Sequence, residues 1–162
     1  MEKVSDMKCR ICSASALKIN SFGRMPIANG FLQKNQFQNE HFFELATAFC
    51  DKCKMFQLVD QPDPTMMFHE NYAFFSSTSK KMAEHFEKMA LTYLKEFIPD
   101  QTQAFVVELG SNDGIMLRHF AERGVKHLGI EPSRNVAEVA LKKGVNTISS
   151  FFGEETARKV ET

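Results

Sequence analysis

Phe105-Val106-Val107-Glu108-Leu109-Gly110-Ser111-Asn112-Asp113-Gly114 is the stretch whose reading decides the fold. An unbroken apolar run, a glycine turn and the apolar-periodic Ile115, Leu117 and Phe120 read as the strand, loop and helix that open a parallel α/β domain. Gly110 lets the chain turn with its backbone close to a ligand, and Gly114 lets the helix begin against the turn. About 20 residues on, His127-Leu128-Gly129-Ile130-Glu131 reads as a second strand ending in a carboxylate, placed to accept hydrogen bonds from a ribose diol.

A glycine turn alone is weak evidence, since many strand-to-helix connections contain glycine for conformational reasons. The acid that ends the second strand strengthens it. A dinucleotide fingerprint asks for G-x-G-x-x-G, because a pyrophosphate sits on the helix N-terminus. The spacing here is G-x-N-x-G, with Asn112 in place of the middle glycine. Glu108 and Asp113 surround the turn with negative charge, which disfavours a pyrophosphate and suits a cationic ligand with an ammonium group. S-adenosylmethionine is such a ligand, and a nicotinamide-dependent oxidoreductase is the rival that this spacing disfavours.

Upstream, Asn71-Tyr72-Ala73-Phe74-Phe75-Ser76-Ser77-Thr78-Ser79 runs into a helical pattern. Met82, Phe86, Met89, Ala90, Tyr93, Leu94 and Phe97 recur at helical spacing, predicting one apolar stripe that faces a core, with Pro99 as the stop. One of Ser77, Thr78 or Ser79 is the expected N-cap, and capping alone explains these hydroxyls without a functional role.

Further upstream, Cys9-Arg10-Ile11-Cys12 and Cys50-Asp51-Lys52-Cys53 are two C-x2-C knuckles that use all 4 cysteines. Each aims two thiolates at one ion, and together they complete the closed tetrahedral shell of a structural zinc. A thioredoxin-type redox pair is the other reading of such spacing, but the irregular Ser13-Ala14-Ser15 after Cys12 does not start a helix. A core of this size supplies about 3 to 5 kcal/mol, whereas structural zinc contributes about 10 to 16, so the metal should decide folding here. Leu17 to Phe22, Phe42 to Phe49 and Met55 to Val59 read as short strands around it, Gly23 to Gly30 as a turn-rich loop, and Gln61-Pro62-Asp63-Pro64 as the exit. The expected organisation is a zinc-binding ribbon over 1–64, a connecting segment and helix over 65–100, and a partial α/β domain over 101–162.

Composition narrows the function classes. Lys plus Arg equals Asp plus Glu at 20 each, so no basic field is available to bind nucleic acid. The polar start from Met1 to Cys12 and the lack of any apolar run of about 18 residues argue against a membrane partner and predict a cytoplasmic protein. His41, His69, His85, His119 and His127 are scattered and read as surface or satisfied histidines, and the pairs Lys80-Lys81 and Lys142-Lys143 as solvated helix positions.

Taken together, both knuckles, Gly23-Arg24-Met25-Pro26-Ile27-Ala28-Asn29, Tyr72-Ala73-Phe74-Phe75-Ser76-Ser77, Glu108 to Gly114 and Gly129-Ile130-Glu131-Pro132-Ser133 resemble the sugar C-methyltransferases that act on nucleotide-linked deoxysugars. In those enzymes a zinc-binding N-terminal domain precedes a Rossmann-like class I S-adenosylmethionine domain. The resemblance implies Cys9, Cys12, Cys50 and Cys53 as zinc ligands. It implies Glu108, Gly110, Ser111, Asn112, Asp113 and Gly114 as the cofactor turn, Glu131 as the ribose acid, and Pro132 and Ser77 as neighbours of the cofactor. Tyr72 is implied to lie near the reacting centre.

The implied reaction is methylation of the carbon beside a ketone in a nucleotide-linked (dTDP) 4-keto sugar: a base removes the α proton and the resulting enolate takes the methyl group. After Glu131 the pattern gives a helix over Val136 to Leu141, a stop at Gly144, a strand over Val145 to Ile148 and a charged helix running to Thr162. The fold class expected is therefore an α+β zinc ribbon followed by the first half of an α/β Rossmann-like fold, C-terminally truncated. Its general base and the C-terminal half of the enzyme are expected beyond Thr162, and the 162-residue chain alone is expected to be inactive and to leave Phe105 to Leu109 as an unpaired apolar edge. Two alternatives remain: a zinc-ribbon interaction module with a non-catalytic half domain, and a methyltransferase for another small molecule.

Overall fold

The computed structural model describes residues 7–28 and 31–160, and the chain divides into two compact units, Met1–Met67 and Phe68–Thr162. The ends Met1 to Asp6 and Glu161 to Thr162, and Asn29 and Gly30 of the glycine-rich loop, lie outside the described residues.

The first unit is an antiparallel sheet in the order β1 (Leu17–Pro26), β2 (Phe42–Phe49), β3 (Phe56–Leu58). Leu17 pairs with Phe49 and Phe49 with Phe56, while Ala46 and Ala48 are fully buried. The first strand is longer than the sequence suggests: Gly23, Arg24, Met25 and Pro26, expected in a loop, continue the pairing to Phe42. Gly23 makes this possible by taking φ +79 within a register shift between Ser21 and Arg24, so the glycine serves a bulge rather than a turn. The Lys18 ammonium and the Ser21 hydroxyl both reach the Glu44 carboxylate across β1 and β2, which keeps that carboxyl below the usual range.

The second unit holds a parallel sheet in the order β4 (Phe105–Leu109), β5 (Lys126–Ile130), β6 (Thr147–Ile148), with α1 (Lys80–Phe97), α2 (Arg118–Ala121), α3 (Arg134–Lys142) and α4 (Glu154–Val160). Its core joins Ala90 and Leu94 of α1 to Leu117, Phe120, Val125, Ala140 and Val145. α1 thus shares the core of the parallel-sheet unit through Ala90 and Leu94. Its N-cap is Ser79, whose hydroxyl accepts from the Met82 amide, and Ile98 ends it before Pro99.

The apolar stripe of α1 is buried in part only. Ala90 and Leu94 are enclosed, whereas Met82, Tyr93 and Phe97 are exposed, so periodicity located a face wider than the line of contact with Leu117 and Phe120. The helix expected to begin at Gly114 is also shorter: residues 112–117 form successive turns, and only Arg118–Ala121 is α-helical. The bends that bring Ile115 and Leu117 into the core replace the first helical turn. β4 lies at an edge of its sheet among the described residues, and Phe105, Val107 and Leu109 are exposed along it.

Candidate functional site

In the first unit both knuckles fold in the same way. The Ser13 amide donates to the Cys9 carbonyl at 2.9 Å and the Lys54 amide to the Cys50 carbonyl at 2.8 Å. The Cys9 amide reaches Ala14 O and the Cys50 amide reaches Met55 O, each at 2.8 Å. Ser13 (φ 58) and Lys54 (φ 64) take the left-handed conformation that ends each turn. Two matching turns thereby aim four sulfurs at one point: the ligand atoms lie within 4.8 Å of one another, with Cys9–Cys53 and Cys12–Cys50 at 3.5 Å.

Tetrahedral zinc with Zn–S of about 2.3 Å needs S–S edges of about 3.8 Å, so the donor set fits the ion by type and spacing. The Cys12 amide and neighbouring donors draw Cys9 down to about 6, and the Cys53 amide likewise lowers Cys50. The Met55 amide favours the Cys53 thiolate, but burial and the surrounding thiols outweigh it and hold Cys53 up to about 12. Four thiolates need a cation to coexist at this spacing. Arg10 sits beside them, its amide bound to Gln57 Oε1 at 3.2 Å and its guanidinium to Leu58 O at 2.7 Å, tying the first knuckle to β3.

In the second unit the bend after β4 carries three left-handed residues in alternation: Gly110 (φ +70), Asn112 (φ 50) and Gly114 (φ +76). Asn is among the few residues that adopt this conformation readily, so Asn112 meets the backbone demand of the glycine it replaces. Its side chain then does what glycine cannot. Oδ1 accepts from the Ser76 amide at 2.8 Å, and Nδ2 donates to Phe74 O at 3.1 Å. Gly114 is close-packed, since a Cβ there would lie 2.9 Å from Val145 Cγ2.

Glu131 follows β5 directly, 4% exposed, and its carboxylate is within the bend: Oε2 accepts from the Asn112 amide at 3.0 Å and Oε1 from the Ser133 amide at 2.8 Å. The carboxylate clamps the bend to the start of α3. Pro132 lies between Glu131 and Ser133, half-buried, and its carbonyl accepts from Ser149 Oγ at 3.4 Å. Ser111 and Ser133 each bury a hydroxyl oxygen that has no protein partner.

Asp113 and Glu108, expected to surround the turn with negative charge, sit in different surroundings. Asp113 is buried against Ser77 and the Lys143 ammonium, the latter at 3.0 Å, so its charge is answered within the protein. Glu108 has no such partner: its Oε2 is buried and unbonded, and burial pushes its carboxyl up to about 7 against the opposing pull of the Leu117 amide. Of the two, Glu108 alone has a buried carboxyl oxygen without a hydrogen-bond partner.

Tyr72 is anchored by its backbone, its carbonyl accepting from Asn135 Nδ2 at 2.8 Å, while its ring lies 5.7 Å from Phe68 and 5.6 Å from Phe74. Sequence reading missed Lys143 and Asn135. Lys143, expected on a solvated face, is only a third exposed, and its partners 30 and 66 residues away leave no local trace. His127 is a satisfied histidine, its Nδ1 bonded to Val125 O at 2.8 Å and its Nε2 accepting from the Asn146 amide at 3.1 Å.

Among the described residues no helix is long and apolar enough to cross a membrane. Residues 9–68, which include all four cysteines, match a family described as a zinc binding domain. The chain is 31% identical over 157 residues to the C-methyltransferase NovU of Streptomyces niveus, a match that covers 96% of the chain and 37% of that relative. One match falls on the cysteine knuckles and the other runs through the parallel sheet and its bend, so the chain is similar to a C-methyltransferase along nearly its whole length while spanning little more than a third of that relative.

Proposed function

We propose that the chain is part of an S-adenosylmethionine-dependent C-methyltransferase whose substrate is a nucleotide-linked 4-keto deoxysugar. The observation that carries the cofactor reading is the buried, unbonded Oε2 of Glu108 beside a bend of three left-handed residues. A buried carboxylate oxygen without a donor is costly, and a ligand ammonium relieves it. When bound, the cofactor supplies an electrophilic methyl group.

The chain's own residues do the holding. Gly110 and Gly114 keep the bend tight, Glu108 takes the cationic end, and Glu131 offers its remaining lone pairs to ribose hydroxyls while its two amide bonds fix the carboxylate in place. Asn112 and Asp113 act toward the protein, holding Phe74 to Ser77 against the bend. Zinc at Cys9, Cys12, Cys50 and Cys53 has a folding role, since four thiolates leave no open position for substrate. The substrate class rests on the likeness to a C-methyltransferase and on the resemblance to sugar-modifying relatives; no residue of the chain is assigned as the base.

Titration with S-adenosylhomocysteine and, separately, NADH while following amide NMR signals tests this reading. Saturable shifts of Gly110 to Gly114 and Glu131 to Ser133 with the first ligand alone are expected. Equal or stronger shifts with NADH would favour an oxidoreductase.

A further inference from the structure

The segment from Tyr72 to Ser77 is fastened to the α/β unit at successive points. Tyr72 O accepts from Asn135 of α3, Phe74 O and the Ser76 amide meet the two ends of the Asn112 amide, and the Ser77 amide donates to both Asp113 oxygens at 3.3 Å. All but the last of these are neutral contacts. The Ser77 end is held by charge.

Lys143, at the C-terminal cap of α3, places its ammonium 2.8 Å from Ser77 Oγ, 3.0 Å from Asp113 Oδ2 and 3.3 Å from Asp113 O. Three donors meet three acceptors, and one ammonium joins three parts of the unit that are distant in sequence. The Asp113 side chain is 1% exposed, and its carboxylate meets the Lys143 ammonium, the Ser77 amide and the Ser77 hydroxyl together. Without Lys143 the buried carboxylate is left without its cation, which is costly, so the acceptor that holds the Ser77 amide is loosened and Ser77 Oγ loses its second partner.

We propose that Lys143 is a positioning residue, a latch that fixes the Tyr72 to Ser77 segment as a strap across the Gly110 to Gly114 bend. The strap is held toward Tyr72 by neutral amide contacts and at the Ser77 end by the ammonium, so loss of the ammonium frees the Ser77 end while the neutral contacts remain. Insofar as the bend holds the cofactor, which rests on the reading above, the latch fixes how Phe74 to Ser77 lie beside it.

Native-state amide hydrogen exchange on the full chain, without ligand, tests the latch independently of any cofactor. Lys143→Met should speed exchange at the Ser76 and Ser77 amides by about tenfold or more while the amides of Gly129 and Glu131 keep their wild-type rates. Lys143→Arg, which keeps the charge, should restore most of the protection. Ser77→Ala leaves the buried ion pair intact and removes only the hydroxyl held by Lys143; it should speed the same two amides by a smaller factor, and it decides the matter if Lys143→Met does not fold. Wild-type exchange at residues 76 and 77 in Lys143→Met, or no change in Ser77→Ala, overturns the proposal. So does a uniform acceleration across the α/β unit in both variants.

Discussion

Gly129 sits in the middle of β5, where a side chain would normally be favoured, and the sequence gives no reason for it. The structure does: a Cβ at 129 would stand 2.4 Å from Ser111 Oγ and 2.9 Å from Thr147 Oγ1. Ser111 belongs to the bend, so the glycine is there to let the bend lie against the second strand. Gly129→Ala should destabilise the chain by about 1 to 3 kcal/mol, read as a lowered urea midpoint at unchanged slope; a wild-type midpoint would contradict the close approach. The same scale shows what sequence spacing can and cannot reveal. Glu131 was legible because it ends a strand about 20 residues after a glycine turn. That Asp113 is neutralised while Glu108 is not was illegible, since Lys143 reaches Asp113 through folding and not through proximity in the chain.

Elements were read well where local patterns set them and less well where tertiary contact did. The C-x2-C knuckles fixed their own turns, because four-residue spacing and a left-handed residue after each second cysteine are local properties. β4 and β5 followed from apolar runs, and α1 from its period and its Ser79 cap. The extension of β1 through Gly23 and the unwinding before α2 depend instead on pairing with Phe42 and on core positions for Ile115 and Leu117. Among the described residues β4 keeps an exposed edge with alternating Phe105, Val107 and Leu109, a pattern that invites strand addition between copies. A lysine at Val107 should suppress concentration-dependent self-association in sedimentation velocity; association unchanged by Val107→Lys would place the sticky surface elsewhere.

At the scale of the whole molecule, two units hold together by different means. The α/β unit has a continuous apolar core from α1 to α3, whereas the buried residues of the first unit include two cysteines and three alanines, and little large apolar side chain. Small domains of this kind need a staple, and the four sulfurs supply it. Stripping the metal with a strong chelator should unfold residues before about position 60 while leaving the parallel sheet intact, seen as partial loss of circular dichroism with the amide signals of β4 and β5 retained. A metal-free chain with an unaltered spectrum would count against a folding role for zinc.

The central claim is that Glu108 answers a cationic ligand at the bend. Its carboxyl, held up to about 7 by burial, is largely protonated near pH 6.5, and a cation beside it favours the ionised form, so ligand binding must release a proton. Calorimetric titration with S-adenosylmethionine near that pH, in buffers of different ionisation enthalpy, measures this release directly. The account predicts a binding heat that changes with the buffer in the wild-type chain and not in Glu108→Gln. A buffer-independent heat in the wild type, or the same dependence in Glu108→Gln, would contradict it.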